Sequence, residues 1–324
     1  MSDLHPTFHH IVAARKEVYR YLKRTPLHPY PGLSRLLEAE VWVKHENHHA
    51  VGAFKVRGGV NLAAHLTGSE RRAGLFTAST GNHGQSIAFA GKVTGTPVTI
   101  AVPEGANPGK VAAMRALGAE VVFHGQDFDE AREWIAGQAE TRGARFIGPT
   151  EPELIAGVGT YALEIMEDLP DVEVIVVPVG GGSGACGCCL AARSINPVVQ
   201  VIGVQAEKAP AAYLAWKEGQ PVPAKMETFA EGLATRVPFG NTQKIMRHPT
   251  LGLDDFVLVS DEALQEAILL LLEHTRNLAE GAGAASLAAA LKIKDRLAGK
   301  KVVLVMSGGN LSLEKLRQII NIGD

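Results

Sequence analysis

The feature that most constrains this chain is an alternation. Short apolar runs rich in Val and Ile, at Val98 to Val102, Val121 to Phe123, Val174 to Val177, Val201 to Val204 and Val302 to Met306, are separated by stretches of helical period. The helical stretches are Asn107 to Leu117, Asp129 to Thr141, Pro152 to Asp168 and Ala185 to Arg193. Runs that are apolar throughout, rather than at every second residue, suit strands covered by helices on both faces. The rhythm therefore predicts βαβ units and an α/β fold with parallel sheet. Pro108 after Asn107 suits a first helical turn, and Gly118 suits a stop after Leu117.

In open parallel sheets, ligands bind beyond the carboxyl ends of the strands. Three polar, glycine-rich loops follow predicted strands: Ser79 to Gly84, Gly180 to Gly184, and Ser307 to Asn310. With 324 residues there is room for one large or two closely packed domains. No linker or repeat divides the chain by composition. The runs around 74–149 are the candidates for a smaller unit set into a larger one.

Composition excludes several partners. A net charge of −2, with no segment concentrating Lys and Arg among aromatics, gives no surface for nucleic acid. The run Ala267 to Leu272 is too short to span a bilayer, and Met1 to Arg15 lacks the apolar core of a secretory signal. A cytoplasmic protein acting on a small molecule is expected. Cys186, Cys188 and Cys189 lie in one stretch that cannot staple distant elements and has no fourth ligand at zinc spacing. They read as small buried residues at a helix start in a reducing compartment.

Gly180 to Gly184 admits two functional readings. Backbone N–H groups entering a helix would cradle a phosphate. The overlapping run Gly182 to Gly187 also satisfies GxGxxG, and Glu207 follows the next strand as a ribose-binding acid would, which suits an NAD-dependent dehydrogenase. Four glycines within five positions exceed what a plain turn needs, and Gly180-Gly181-Gly182-Ser183 exceeds a nucleotide turn.

Lys55 stands beside Phe54 and between Gly52 and Gly58. A lone lysine is ordinarily a surface residue with a snorkelling head group. Drawn into an aromatic pocket it becomes a nucleophile of lowered pKa.

Across nearly its whole length the chain resembles the fold type II pyridoxal-phosphate enzymes, in the serine/threonine dehydratase (ammonia-lyase) and serine racemase branch. The resemblance is carried in order by Arg24 to Leu27, Val43 to Asn47, Gly52 to Gly58, Ser79 to Gly84, Gly180 to Gly184, Glu231 to Ala234, Glu280 to Gly283 and Ser307 to Asn310. It implies two open parallel-sheet α/β domains with pyridoxal 5'-phosphate between them. Residues 1–50 and 150–324 would form the large cofactor-binding domain, and 51–149 would contain the smaller, mobile substrate-side domain, with its core at about 74–149. Lys55 would hold the cofactor as a Schiff base, with Phe54 beside the ring. Asn82 would bond the 3-hydroxyl, Gly180, Gly181, Gly182, Ser183 and Gly184 the phosphate, and Ser307 would face the pyridine nitrogen. Ser79, Thr80, Asn82 and His83 would receive the substrate carboxylate, and Glu280 and Thr235 would lie near the ring and substrate. A homodimer is implied as well.

The implied reaction is β-elimination from a β-hydroxy amino acid, giving a 2-oxo acid and ammonia, with Lys55 as base. Racemisation on the same scaffold is the alternative, with Thr80 where racemases carry a serine. Val51 and Ala53 stand where the family commonly has Thr and Ser; a less polar pocket edge would admit bulkier substrates such as phenylserine or hydroxyaspartate. The branch binds a divalent cation through a Glu followed by a second acidic residue. Glu207 is followed instead by Ala211 and Tyr213, so no metal is expected, with Glu207 the one weak candidate. The chain ends at Asp324 without a stretch resembling the regulatory domain of biosynthetic threonine dehydratases, which points to a degradative enzyme.

Overall fold

The computed structural model describes residues 5–321; Met1 to Leu4 and residues 322 to 324, on which the expectations about the two chain ends partly rest, lie outside that range. In chain order the strands are β1 (Leu27–Pro29), β2 (Glu40–His45), β3 (Leu75–Ala78), β4 (Val98–Val102), β5 (Glu120–Phe123), β6 (Arg145–Phe146), β7 (Val174–Pro178), β8 (Gln200–Ala206), β9 (Asp255–Val259) and β10 (Lys301–Met306). They form a six-stranded sheet of order β1-β2-β10-β7-β8-β9 and a four-stranded sheet of order β5-β4-β3-β6. Every pairing is parallel except β1 with β2.

The apolar runs in β4, β7, β8 and β10 are buried on both faces, as their composition predicts, whereas Val121 to Phe123 forms the edge strand β5 and leaves Phe123 exposed. Ile175 and Val177 of β7 pack into one core with Cys186, Cys188 and Cys189 of the helix Ser183–Ile195. Val174 and Val176 face the opposite core with Ala284, Ala285 and Ala288 of the helix Gly281–Lys292. Each such Val or Ile is worth about 1.5–3 kcal/mol relative to exposure. The three thiols are inert packing groups, and burial pushes Cys188 up to about 12. Asn107 caps the helix Pro108–Ala116 through its side chain, and Gly118 follows with φ +90°, as read from the sequence.

The strand order sets the functional edge. β10 lies between β2 and β7, all parallel, so the loops leaving β2, β7 and β10 emerge side by side. These loops lead to Lys55, Gly180 and Ser307. The lysine begins the helix Lys55–Ala64, which packs against the helices Asn82–Thr94 and Pro152–Asp168. The packing is glycine-close. A Cβ on Gly58 would lie 2.7 Å from Leu154 O, and one on Gly59 would lie 2.4 Å from Ser86 Oγ. No side chain fits between these helices.

Candidate active site

Lys55 is the first residue of its helix, and the preceding backbone is fixed from behind. Phe54 N–H donates to Ser307 O at 3.0 Å, and Ala53 bridges to Gly308. The Nζ lies 5.3 Å from the centroid of the Phe54 ring and donates to Ser183 Oγ at 3.0 Å. No carboxylate pairs with it among the described residues, and burial alone lowers its pKa to about 8. A lysine so placed is a nucleophile and base near neutral pH.

The glycine loop closes one side. Gly182 has φ +98°, which favours glycine, and a Cβ on Gly180 would sit 2.1 Å from Gly232 O. A Cβ on Gly181 would come 3.3 Å from Phe239 and Thr150, and one on Gly184 3.3 Å from the Phe54 ring. Side chains here would fill the cradle. The 13-residue helix Ser183–Ile195 begins at the loop without a side-chain cap, so its first N–H groups and dipole are directed at an anion. Gly187, the last glycine of the GxGxxG run, has another purpose: its Cβ would lie 2.7 Å from Gly159 N in the neighbouring helix.

A second polar group is formed by Asn82, Glu280 and Asn310. Asn82 Nδ2 donates to Glu280 Oε1 at 2.6 Å, and Asn310 Nδ2 donates to Asn82 Oδ1 at 2.7 Å and to Val51 O at 2.8 Å. Burial raises Glu280 to about 7, against the opposing pull of Asn82 and Lys110. Ser307 is 5% exposed, and its Oγ has no hydrogen-bond partner among the described residues. Asn310 was quoted in a motif but given no role by the sequence; its position only becomes meaningful once β10 is placed.

The remaining expected residues divide. Thr80 is half-buried in the loop after β3. Ser79 Oγ accepts from Gly81 N at 3.1 Å and Gly84 N at 2.9 Å, so it acts as a loop clasp. His83 is buried, with Nε2 3.1 Å from Thr77 Oγ1 and 3.4 Å from Ile147 O. Burial, then the Lys55 charge, lowers it to about 3, so it is a neutral core imidazole. The side chains of Ser79 and His83 thus hydrogen-bond within their own loop and sheet. Thr235 Oγ1 lies 3.2 Å from Gln205 Nε2. Glu207 pairs with Lys292 Nζ at 3.0 Å at the surface. Val51 and Ala53 are 5% and 0% exposed, so their methyls pack into the interior and do not line a pocket edge.

Behind the lysine lies a cluster that the sequence did not disclose. Arg57, 0% exposed, donates to Glu46 at 2.7 and 2.9 Å and to Glu164 at 2.7 and 2.9 Å. Lys44 Nζ donates to Glu164 at 2.6 Å and to Thr25 O at 2.8 Å. Two cations and two carboxylates, all fully buried, thus neutralise one another two residues from Lys55. Their only signal was charge inside apolar surroundings, in motifs at Lys44, Glu46 and Arg57.

These features fit pyridoxal 5'-phosphate: a lysine without a counter-ion, a glycine cradle at an uncapped helix start, and an unpartnered hydroxyl at Ser307. Residues 18–308 match the family described as pyridoxal-phosphate dependent enzyme. The chain belongs to that family. It is similar to an L-threonine ammonia-lyase of Thermotoga maritima, 42% identical over 98% of this chain and 79% of that protein. Its fold matches the processed form of threonine deaminase isoform 2 from Solanum lycopersicum, with TM-score 0.92, 31% identity, and coverage of 97% and 92% of the two chains. Serine racemase from Dictyostelium discoideum matches with TM-score 0.88 and 32% identity, over 95% of this chain and 99% of that one. As a pyridoxal-phosphate dependent enzyme of fold type II and lyase class, the protein takes pyridoxal 5'-phosphate as its cofactor. The NAD reading of Gly182 to Gly187 is thereby overturned: Gly184 faces Phe54, Gly187 admits a helix, and Glu207 is a surface ion pair.

Proposed function

We propose that this enzyme is an ammonia-lyase for L-threonine and L-serine, releasing the corresponding 2-oxo acid and ammonia by β-elimination. The observation that carries the reading is Lys55: half-buried without a carboxylate, over Phe54 and against Ser183 at the glycine cradle. The similarity to an L-threonine ammonia-lyase at 42% identity supports the substrate class.

When bound, the cofactor supplies an electron sink for the charge left at the substrate α-carbon. Gly180 to Gly184 and the helix start at Ser183 would grip its phosphate, and Lys55 Nζ would anchor it covalently. Freed from that bond by the substrate amine, Lys55 Nζ would accept the α-proton, a role suited to a pKa near 8. Ser307, a neutral hydroxyl facing the ring nitrogen, would not hold that nitrogen protonated. Charge then stays closer to the α-carbon and favours loss of the β-hydroxyl over transamination. Thr80 and the start of the helix Asn82–Thr94 would receive the substrate carboxylate. Asn82 and Glu280 would face the ring's 3-oxygen.

The four-stranded sheet, within about 74–149, is in this reading the mobile substrate-side unit, and the assembly is a cytoplasmic homodimer. No helix among the described residues is long and apolar enough to cross a membrane. Bulkier substrates such as phenylserine or hydroxyaspartate lose their argument with Val51 and Ala53 packed inward. Racemisation remains the second reading because Thr80 keeps a hydroxyl at the open side of the site and a serine racemase shares the fold. A panel of β-hydroxy amino acids assayed for 2-oxo acid, ammonia and the opposite enantiomer tests both. Threonine and serine should yield 2-oxo acid; enantiomer alone would replace elimination by racemisation, and neither product would overturn the reading.

A further inference from the structure

Gln205 is the one polar residue in the buried stretch Val201 to Ala206 of β8, otherwise Val, Ile, Gly and Ala, and it is 0% exposed. A carboxamide in such surroundings is retained only when its donors and acceptor are used. Its Oε1 accepts from Tyr213 N at 3.0 Å, and its Nε2 donates to Leu233 O at 3.3 Å and to Thr235 Oγ1 at 3.2 Å. Both donor bonds thus end on one short segment, residues 231–236.

That segment crosses between the two sheets. Glu231 pairs with Lys110 of the helix Pro108–Ala116, and Arg236 Nη1 pairs with Asp129 Oδ2 of the helix Phe128–Thr141 at 3.0 Å. Both partners belong to the four-stranded side. In the middle, Gly232 O occupies the space a Cβ on Gly180 would need, so the segment lies against the glycine cradle. The ends are therefore held by exposed ion pairs worth little each, whereas the middle is held by buried hydrogen bonds from the six-stranded sheet.

We propose that Gln205 is a positioning residue for the elimination: its carboxamide fixes residues 231–236 against the glycine cradle, and with them the Thr235 hydroxyl toward the substrate. The proposal rests on the lyase reading above. Gln205 touches neither substrate nor cofactor in this arrangement; it acts through Thr235.

The test is a double-mutant cycle in the cofactor-loaded enzyme with Gln205→Leu, Thr235→Val and the pair. Each single variant should raise KM for L-threonine about tenfold, the worth of roughly one buried hydrogen bond, with a much smaller change in kcat. The pair should be no worse than the poorer single variant, because the two residues act as one unit. Amide hydrogen exchange over 231–236 should rise about tenfold in Gln205→Leu, a readout independent of turnover. Multiplying effects in the pair, or unchanged exchange, would overturn the proposal. If Gln205→Leu does not fold, Thr235→Ser against Thr235→Val decides: the retained hydroxyl should restore KM, and a Thr235→Val enzyme equal to wild type would sink the idea. Wild-type enzyme inactive on threonine and serine would instead refute the lyase reading, leaving the exchange result to judge Gln205.

Discussion

Two lysines withdrawn from solvent, Lys44 fully and Lys55 in part, have opposite fates. Lys44 is fully enclosed, yet Glu164 meets its Nζ at 2.6 Å, and the carboxylates of Glu46 and Glu164 oppose the downward pull of burial. Lys55 has burial without a carboxylate and falls to about 8. The first is part of a neutral block of two cations and two anions; the second is left with a hydroxyl and an aromatic ring. A buried charge that is fully paired makes structure, while one left short of partners makes chemistry.

The sharpest way to break that contrast is Lys55→Ala. Activity should fall about 10⁴-fold or more, and the visible absorption of the covalently held cofactor and its sensitivity to borohydride should vanish, while unfolding free energy changes by less than about 1 kcal/mol. Arg57→Met should do the reverse. Leaving Glu46 and Glu164 buried with too few cations should lower stability by about 3–5 kcal/mol in urea unfolding. If Arg57→Met is as stable as wild type, the two lysines do not belong to different classes of site.

Glu280 sharpens the comparison from the acidic side. Its folded pKa of about 7 lies above its ordinary value, so between pH about 4.5 and 7 the folded cofactor-free protein binds more protons than the unfolded chain. Stability from this group is complete below that window and is lost as pH rises through it, by up to about 3 kcal/mol. Glu280→Gln should flatten the corresponding slope in melting temperature against pH. An unchanged slope would mean that Glu280 is ionised throughout. The smallest effect is expected at the surface pair of Glu207 with Lys292: Glu207→Gln should shift stability by less than about 0.5 kcal/mol, and added divalent cation should leave activity unaltered in both forms.

What the sequence disclosed follows the same division. Strands β4, β7, β8 and β10 were legible because two-sided burial demands unbroken apolar runs, and the loops after them were legible because glycine and small polar residues collect where backbone meets ligand. β1, β3 and β6 are short, β9 is a sheet edge, and β2 carries Glu40, Lys44 and His45, so none of the five reads as a long unbroken apolar run. Lys55, Asn82 and Ser307 were marked by their motifs, and the fold brings them to one edge. Arg57 and Gln205 were visible only as polar residues in apolar company, and nothing local says that Arg57 meets Glu164 or that Gln205 meets Leu233 and Thr235. His83 stands in a ligand-like loop, and nothing local says that its ring turns back onto Thr77 of β3.

The glycine-close packing around the lysine helix also bears on how this enzyme can be altered. Gly58 and Gly59 put backbone and a serine hydroxyl where side chains would otherwise adjust, so that helix offers no variable surface to selection or to a designer. Random libraries at Gly58 and Gly59 should return few folded clones. A change of substrate range has to enter from the other wall, through the loops after β3 and the strap at 231–236, where side chains exist to be exchanged.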